Sequence, residues 1–213
     1  PGASGKTELW NGTVWTETTN LSHHTFQQAG NIGTSAATLS AGGRNPDVSA
    51  VTEEWNQNLA VGAWATSGSM NTARIHVRGT GTQTASLAIG GELPPGAVTG
   101  VTELYNGTAW GELNDLNTGR YGPGTAGTTT AGLAFGGTTD SIQDVNESWN
   151  GTSWTEIGDM NTAKSDMASF GTSTAAIAAG GLGSPREIAI NELWNGSNWT
   201  EVNDLNTARL AIR

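Results

Sequence analysis

The 213 residues carry a formal net charge of −10 on only 13% charged side chains, with 31 glycines and no cysteine. The acidic balance argues against a nucleic-acid backbone or an anionic membrane surface as partner. No apolar run approaches the roughly 20 residues of a membrane helix, so membrane insertion is not predicted either. Without cysteine there is no disulfide, thiolate metal site or cysteine nucleophile, and the fold must hold by packing and strand pairing.

No signal peptide precedes the first motif; Pro1 opens inside a repeat, so any targeting segment is expected to have been removed or to lie upstream. That motif is Glu8-Leu9-Trp10-Asn11-Gly12-Thr13-Val14-Trp15, two short strands joined by a turn. Asn-Gly is the strongest short hairpin signal, because a type I′ turn needs positive φ at both central residues. A two-residue loop pairs Trp10 with Thr13 and Glu8 with Trp15. It places Glu8, Trp10, Thr13 and Trp15 on one face and Leu9 with Val14 on the other.

The motif returns at Glu53-Glu54-Trp55-Asn56, where the second tryptophan, Trp64, is delayed, then at Glu103 to Trp110, Glu147 to Trp154 and Glu192 to Trp199. Successive glutamates are 45, 50, 44 and 45 residues apart. Two other landmarks keep the same period. Glycine pairs close apolar runs at Gly42-Gly43, Gly90-Gly91, Gly136-Gly137 and Gly180-Gly181, and Asn-Thr-Ala-Arg or a variant ends at Arg74, Arg120, Lys164 and Arg209. From each of the first three basic residues to its glycine pair the step is 16 residues; the same count back from Gly42 reaches Phe26, so the first unit has lost its cation.

Each unit predicts four strands: one after the basic residue (Ile75 to Val77), one into the glycine pair (Ala85 to Ile89), one carrying Glu-Leu-Trp, and one beginning at the second tryptophan. Four-stranded units of this period, stacked radially, describe an all-β propeller. The tryptophan face, uniform across units, is expected to be buried between blades at roughly 4–6 kcal/mol per indole, an upper bound. Complete units lie near residues 26–66, 73–113, 120–157 and 164–202. Strands at 6–18 and 208–213 remain, and combine into a composite fifth blade. That blade still wants a second strand of about fifteen residues, so the chain reads as a piece of a longer polypeptide. Five blades within one domain, 1–213, is the reading adopted; a stretch of a six- or seven-bladed ring is the alternative.

The glycine pair, the aromatic third strand, the tryptophan of the fourth and the basic residue before the first together resemble the kelch repeat, over nearly every residue from Lys6 to Arg213. The wording Trp-Asn-Gly-Thr-x-Trp-Thr-Glu followed by Asp-Leu-Asn-Thr-Ala-Arg is also similar to kelch-like repeat proteins of marine bacteriophages. That resemblance implies a non-enzymatic binding or structural module. It is placed in the virion or outside the cell, as a tail-fibre or capsid-surface domain assembled in the host cytoplasm, and its partners are glycans, protein surfaces or other virion proteins. Galactose oxidase shares the kelch propeller, but two tyrosines, three histidines and no cysteine offer no matching copper ligands, and no cofactor or metal is expected. No catalytic motif stands out.

Alternating strand direction puts the loops after the second and fourth strands on one face of the disc. The loops after the second strand differ most between units, which nominates Asn45, Asp47, Glu92, Asp140 and Arg186 as ligand-binding. Arg74, Arg120, Lys164 and Arg209 are expected around the same mouth, either binding an anion or paired with repeat glutamates such as Glu103 and Glu147. Arg74, His76 and Arg78 alternate toward the central channel if that segment is a strand. His23 and His24, being adjacent, make a poor metal site. A lectin with repeated sugar pockets between blades is the second functional reading, and it needs exposed tryptophans. Sequons at Asn11, Asn106, Asn150, Asn195 and Asn198 are explained as turn chemistry.

Overall fold

A computed structural model describes residues 5–24, 29–57 and 63–210. Among them there is no helix; five antiparallel sheets follow one another along the chain, as a five-bladed propeller requires. The first sheet is a hairpin of β1 (Glu8–Trp10) and β2 (Trp15–Glu17). The first full blade is β3 (Ala29–Thr34), β4 (Ala37–Ala41), β5 (Thr52–Asn56) and β6 (Ala63–Ser67). The second is β7 (Arg78–Thr82), β8 (Ala85–Leu93), β9 (Ala97–Tyr105) and β10 (Trp110–Glu112). The third is β11 (Gly124–Gly127), β12 (Gly132–Phe135), β13 (Asn146–Trp149) and β14 (Trp154–Ile157). The fourth is β15 (Ala168–Thr172), β16 (Ala175–Ala179), β17 (Asn191–Trp194) and β18 (Trp199–Val202). Strands pair in chain order within every blade.

Three expectations need correction. The outer hairpin does not close with a two-residue turn. Trp10 pairs with Trp15 and Glu8 with Glu17, leaving a four-residue loop, and blades two to four do likewise; in the first blade Trp55 pairs with the later Trp64. Only the glycine adopts positive φ, near 98° at Gly12, while Asn11 Oδ1 accepts the N–H groups of Thr13 and Val14 at 2.9 and 3.0 Å. The asparagine therefore works as an Asx acceptor and not as a left-handed residue. Trp10 and Trp15 still share a face, now with Glu8 and Glu17, and Thr13 and Val14 leave the strands.

The first strand of the second blade starts at Arg78, after the predicted Ile75 to Val77. Arg74 dips into the core, Ile75 bridges Glu92, and His76 turns the chain at φ 55° before it straightens. At the C-terminus, Ala208–Leu210 form no strand, and the rest of the predicted composite strand, 211–213, lies outside the described residues. So does Phe26.

The blades pack by one rule. The leucine face of each blade meets the tryptophan face of the next. Ile32, Leu39 and Ala41 pack with Tyr105 and Trp110, Leu87 and Leu104 with Trp149 and Trp154, and Ala126, Leu133 and Phe135 with Trp194 and Trp199. The indole N–H of the outer strand reaches back to the preceding blade, Trp110 to Thr52 at 3.0 Å and Trp154 to Thr102 at 3.2 Å. Trp64 reaches Thr7 of the N-terminal hairpin in the same way, at 2.9 Å. The glycine pair has its reason here. Gly137 N–H donates to the Lys164 carbonyl of the next blade at 3.0 Å, and a Cβ on Gly136 would stand 2.2 Å from that carbonyl oxygen. The repeated landmarks are thus packing instructions.

Candidate functional site: the loop face and channel mouth

The repeated cations lie beneath the loop face. Arg74 meets Glu103 at 2.8 Å, Arg120 meets Glu147 at 2.5 Å and Lys164 meets Glu192 at 3.2 Å, with every one of these side chains fully buried. Each glutamate also accepts backbone N–H groups from the segment entering its blade. Glu147 takes Asn117 N at 2.8 Å and Thr118 N at 3.3 Å, Glu192 takes Asn161 and Thr162, and Glu103 takes Asn71 and Thr72. Burial holds the three cations below their ordinary pKa values, and the facing glutamate pulls each part of the way back. These pairs stitch the inner and outer halves of a blade together. Of the four cations nominated around the mouth, three are inside the protein and out of a ligand's reach; Arg209 alone is exposed.

Above them, in blades two to four, the loop after the second strand curls back on the segment that enters the same blade's first strand. Isolated bridges join Ile75 to Glu92, Tyr121 to Thr138 and Ser165 to Leu182. This leaves Asn45 and Asp47 exposed at the first blade's tip, Asp140 at the third's and Arg186 at the fourth's. Beyond a proline present in three of them, the tips differ: Asn45-Pro46-Asp47, Pro94-Pro95-Gly96, Thr139-Asp140-Ser141 and Pro185-Arg186-Glu187. Glu92 is half-buried within the extended hairpin of the second blade, its carboxylate 3.2 Å from His76 Nδ1.

His76 and Arg78 do come together, with partners the sequence reading missed. The His76 ring stacks on Tyr121 at 5.2 Å. Arg78, on the innermost strand of the second blade, reaches Asp166 of the fourth blade at 2.9 Å, passing in front of the third. A backbone belt underlies the cluster: Gly122 N–H donates to His76 O at 3.1 Å, and Asp166 N–H donates to Gly122 O at 2.9 Å. His76, Gly122 and Asp166 stand two residues after Arg74, Arg120 and Lys164, and all three have positive φ, 55°, 61° and 49°. A backbone suited to glycine thus carries histidine and aspartate in two blades, a cost that clusters at functional sites. The glycine of the third copy was the one available signal for this position.

The mouth therefore offers donors and acceptors within a few ångströms of an aromatic platform. Among the described residues, no group of three or more histidines, aspartates or glutamates gathers to hold a metal ion, and no helix is long and apolar enough to cross a membrane. Compared with known proteins, the chain matches no family model and no curated sequence.

Proposed function

We propose that this chain is a non-enzymatic recognition module whose ligand sits on the loop face, over the channel mouth formed by His76, Arg78, Glu92, Tyr121 and Asp166. One observation carries the reading. In the full blades the repeated glycine pairs, tryptophan-strand aromatics and ion pairs are spent on packing within and between blades, whereas the exposed tips after the second strands differ from blade to blade around a proline that three of them share. Surface freed from packing and set on a rigid scaffold is where binding resides. A mixed array of donors, acceptors and a stacked ring suits a hydroxylated or polar ligand, a glycan or a polar protein surface. The kelch-like wording of the repeat, similar to that of marine phage proteins, supports a place on a virion, as a tail-fibre or capsid-surface domain.

The test is a glycan array and a virion-protein pull-down with purified chain. Binding is expected to weaken about tenfold or more on Asn45→Ala, Asp140→Ala or Arg78→Ala, corresponding to roughly 1.4 kcal/mol. Binding indifferent to all three, but lost on changes in the outer turns at Thr108 and Thr152, would place the site on the opposite edge. Absence of the protein from purified particles would remove the virion version.

The repeated-pocket lectin has less to draw on. Trp55, Trp110, Trp149, Trp154, Trp194 and Trp199 are buried. The groove between the second and third blades is lined by Glu112, Leu113, Asn114, Gly151 and Thr152, without an aromatic ring.

A further inference from the structure

The indole that opens each outer strand finds the same acceptor at three places. Trp64, Trp110 and Trp154 donate to the hydroxyls of Thr7, Thr52 and Thr102, each the residue just before a repeat glutamate of the preceding unit. Between the third and fourth blades the pattern changes. The place before Glu147 holds Asn146, and the indole that answers it is Trp199. Trp199 Nε1 has no hydrogen-bond partner among the described residues, and neither has Asn146 Oδ1. Both residues are deeply buried, at 5% and 0% exposure. One donor and one acceptor are thus left over at the seat where the earlier junctions make a single bond.

The asparagine amide is drawn away from that bond. Its Nδ2 donates to Gly158 O at 3.2 Å, just past the fourth strand of its own blade. That contact fixes which way the amide faces, because turning it over would set two oxygens against each other. Asn191, the next copy, holds Asn203 O in the same way at 2.8 Å, but its Oδ1 accepts Gly180 N–H at 3.2 Å. Asn146 Oδ1 has no such donor. The surroundings are apolar: the Trp199 ring packs on Phe135 at 4.8 Å, in one cluster with Met160 and Met167. A buried donor and a buried acceptor are costly to leave unpaired in such a place. Whatever satisfies both must accept a hydrogen bond and donate one. A bare cation does not accept from the indole, and an anion does not donate to the amide oxygen.

We infer that a single water molecule is built into the junction of the third and fourth blades, accepting from Trp199 Nε1 and donating to Asn146 Oδ1. Two polar partners suffice to hold a buried water. The water does for Asn146 what the side-chain hydroxyl does for Thr7, Thr52 and Thr102, and carries the indole's contact across to the preceding blade. This junction is bridged through solvent where the others close directly.

A crystal structure of the whole chain, at a resolution that shows ordered water, decides it. A peak is expected within hydrogen-bond distance of both Trp199 Nε1 and Asn146 Oδ1. Direct contact between those two atoms, or a water that reaches only one of them or neither, would overturn the inference. In solution, Asn146→Thr and Asn146→Val have the same shape and differ in the hydroxyl that is able to replace the water. The valine variant is expected to melt at least about 2 °C below the threonine variant. Equal midpoints would show that Trp199 does not look to this position, and would end the proposal. A crystal of Asn146→Thr is expected to show the water displaced and the indole bonded to the introduced hydroxyl; an indole that ignores that hydroxyl would count against it.

Discussion

Removing Glu147 strikes the repeat at its tightest point. The carboxylate is fully buried and gathers Asn117 N, Asn117 Nδ2, Thr118 N and the Arg120 guanidinium. Glu147→Ala leaves the guanidinium buried with only the carbonyls of Thr118 and Ala134, and strips the entering segment of its acceptor. Breaking a buried pair from one side costs about 3–5 kcal/mol, against about 5–15 kcal/mol for a whole domain. At this chain length the midpoint should fall by about 6–20 °C. Glu53→Ala is the internal control. Glu53 accepts from Ser22 and His23, its unit has phenylalanine at the cation's place, and so no buried arginine is stranded; about 1–3 kcal/mol is expected. Urea unfolding followed by tryptophan emission measures both. A loss below about 1 kcal/mol for Glu147→Ala would refute the view that these carboxylates organise the blades.

Two further outcomes follow from the same geometry. Lys164 is held below its ordinary pKa by burial, so in the window between its folded value and about 10.4 the unfolded chain binds more protons and stability rises with pH. The stability of wild type relative to Lys164→Met, which cannot titrate, should therefore grow as pH rises toward that upper limit; urea midpoints at paired pH values read it. Asn150→Ala removes the acceptor for Thr152 N and Ser153 N, both 2.9 Å away, and should cost about 1 kcal/mol in the same assay, whereas Asn150→Asp keeps it.

The fold was legible because its determinants repeat. A glycine pair, a tryptophan pair and a buried charge pair each recur at one period; the glycines and tryptophans touch the neighbouring blade, and the charge pair joins two segments of one blade. The turn was misread because Asn-Gly fits both a type I′ turn and an Asx-capped loop; only the pairing of Trp10 with Trp15 separates them. The channel mouth was half legible. His76 and Arg78 stood out as polar residues on an inner segment, but Asp166 lies 88 residues away from Arg78 in sequence, and only the curvature of the ring brings them together. The basic residues left two readings open, because an exposed ring of cations and a set of buried pairs have the same spacing; Arg74, Arg120 and Lys164 take the pairing with repeat glutamates.

That curvature is the central claim, and the Arg78–Asp166 contact reports on it directly. In a linear stack, sheets about 10 Å apart would hold the second and fourth blades about 20 Å apart. Wrapped around an axis, their inner strands come within hydrogen-bond reach. The chain has no cysteine, so Arg78→Cys with Asp166→Cys supplies the only two thiols. A rigid cross-linker of about 8 Å, well short of that 20 Å, is expected to join them within a folded monomer. Free thiols after treatment, in protein that retains its native tryptophan emission, would contradict the ring.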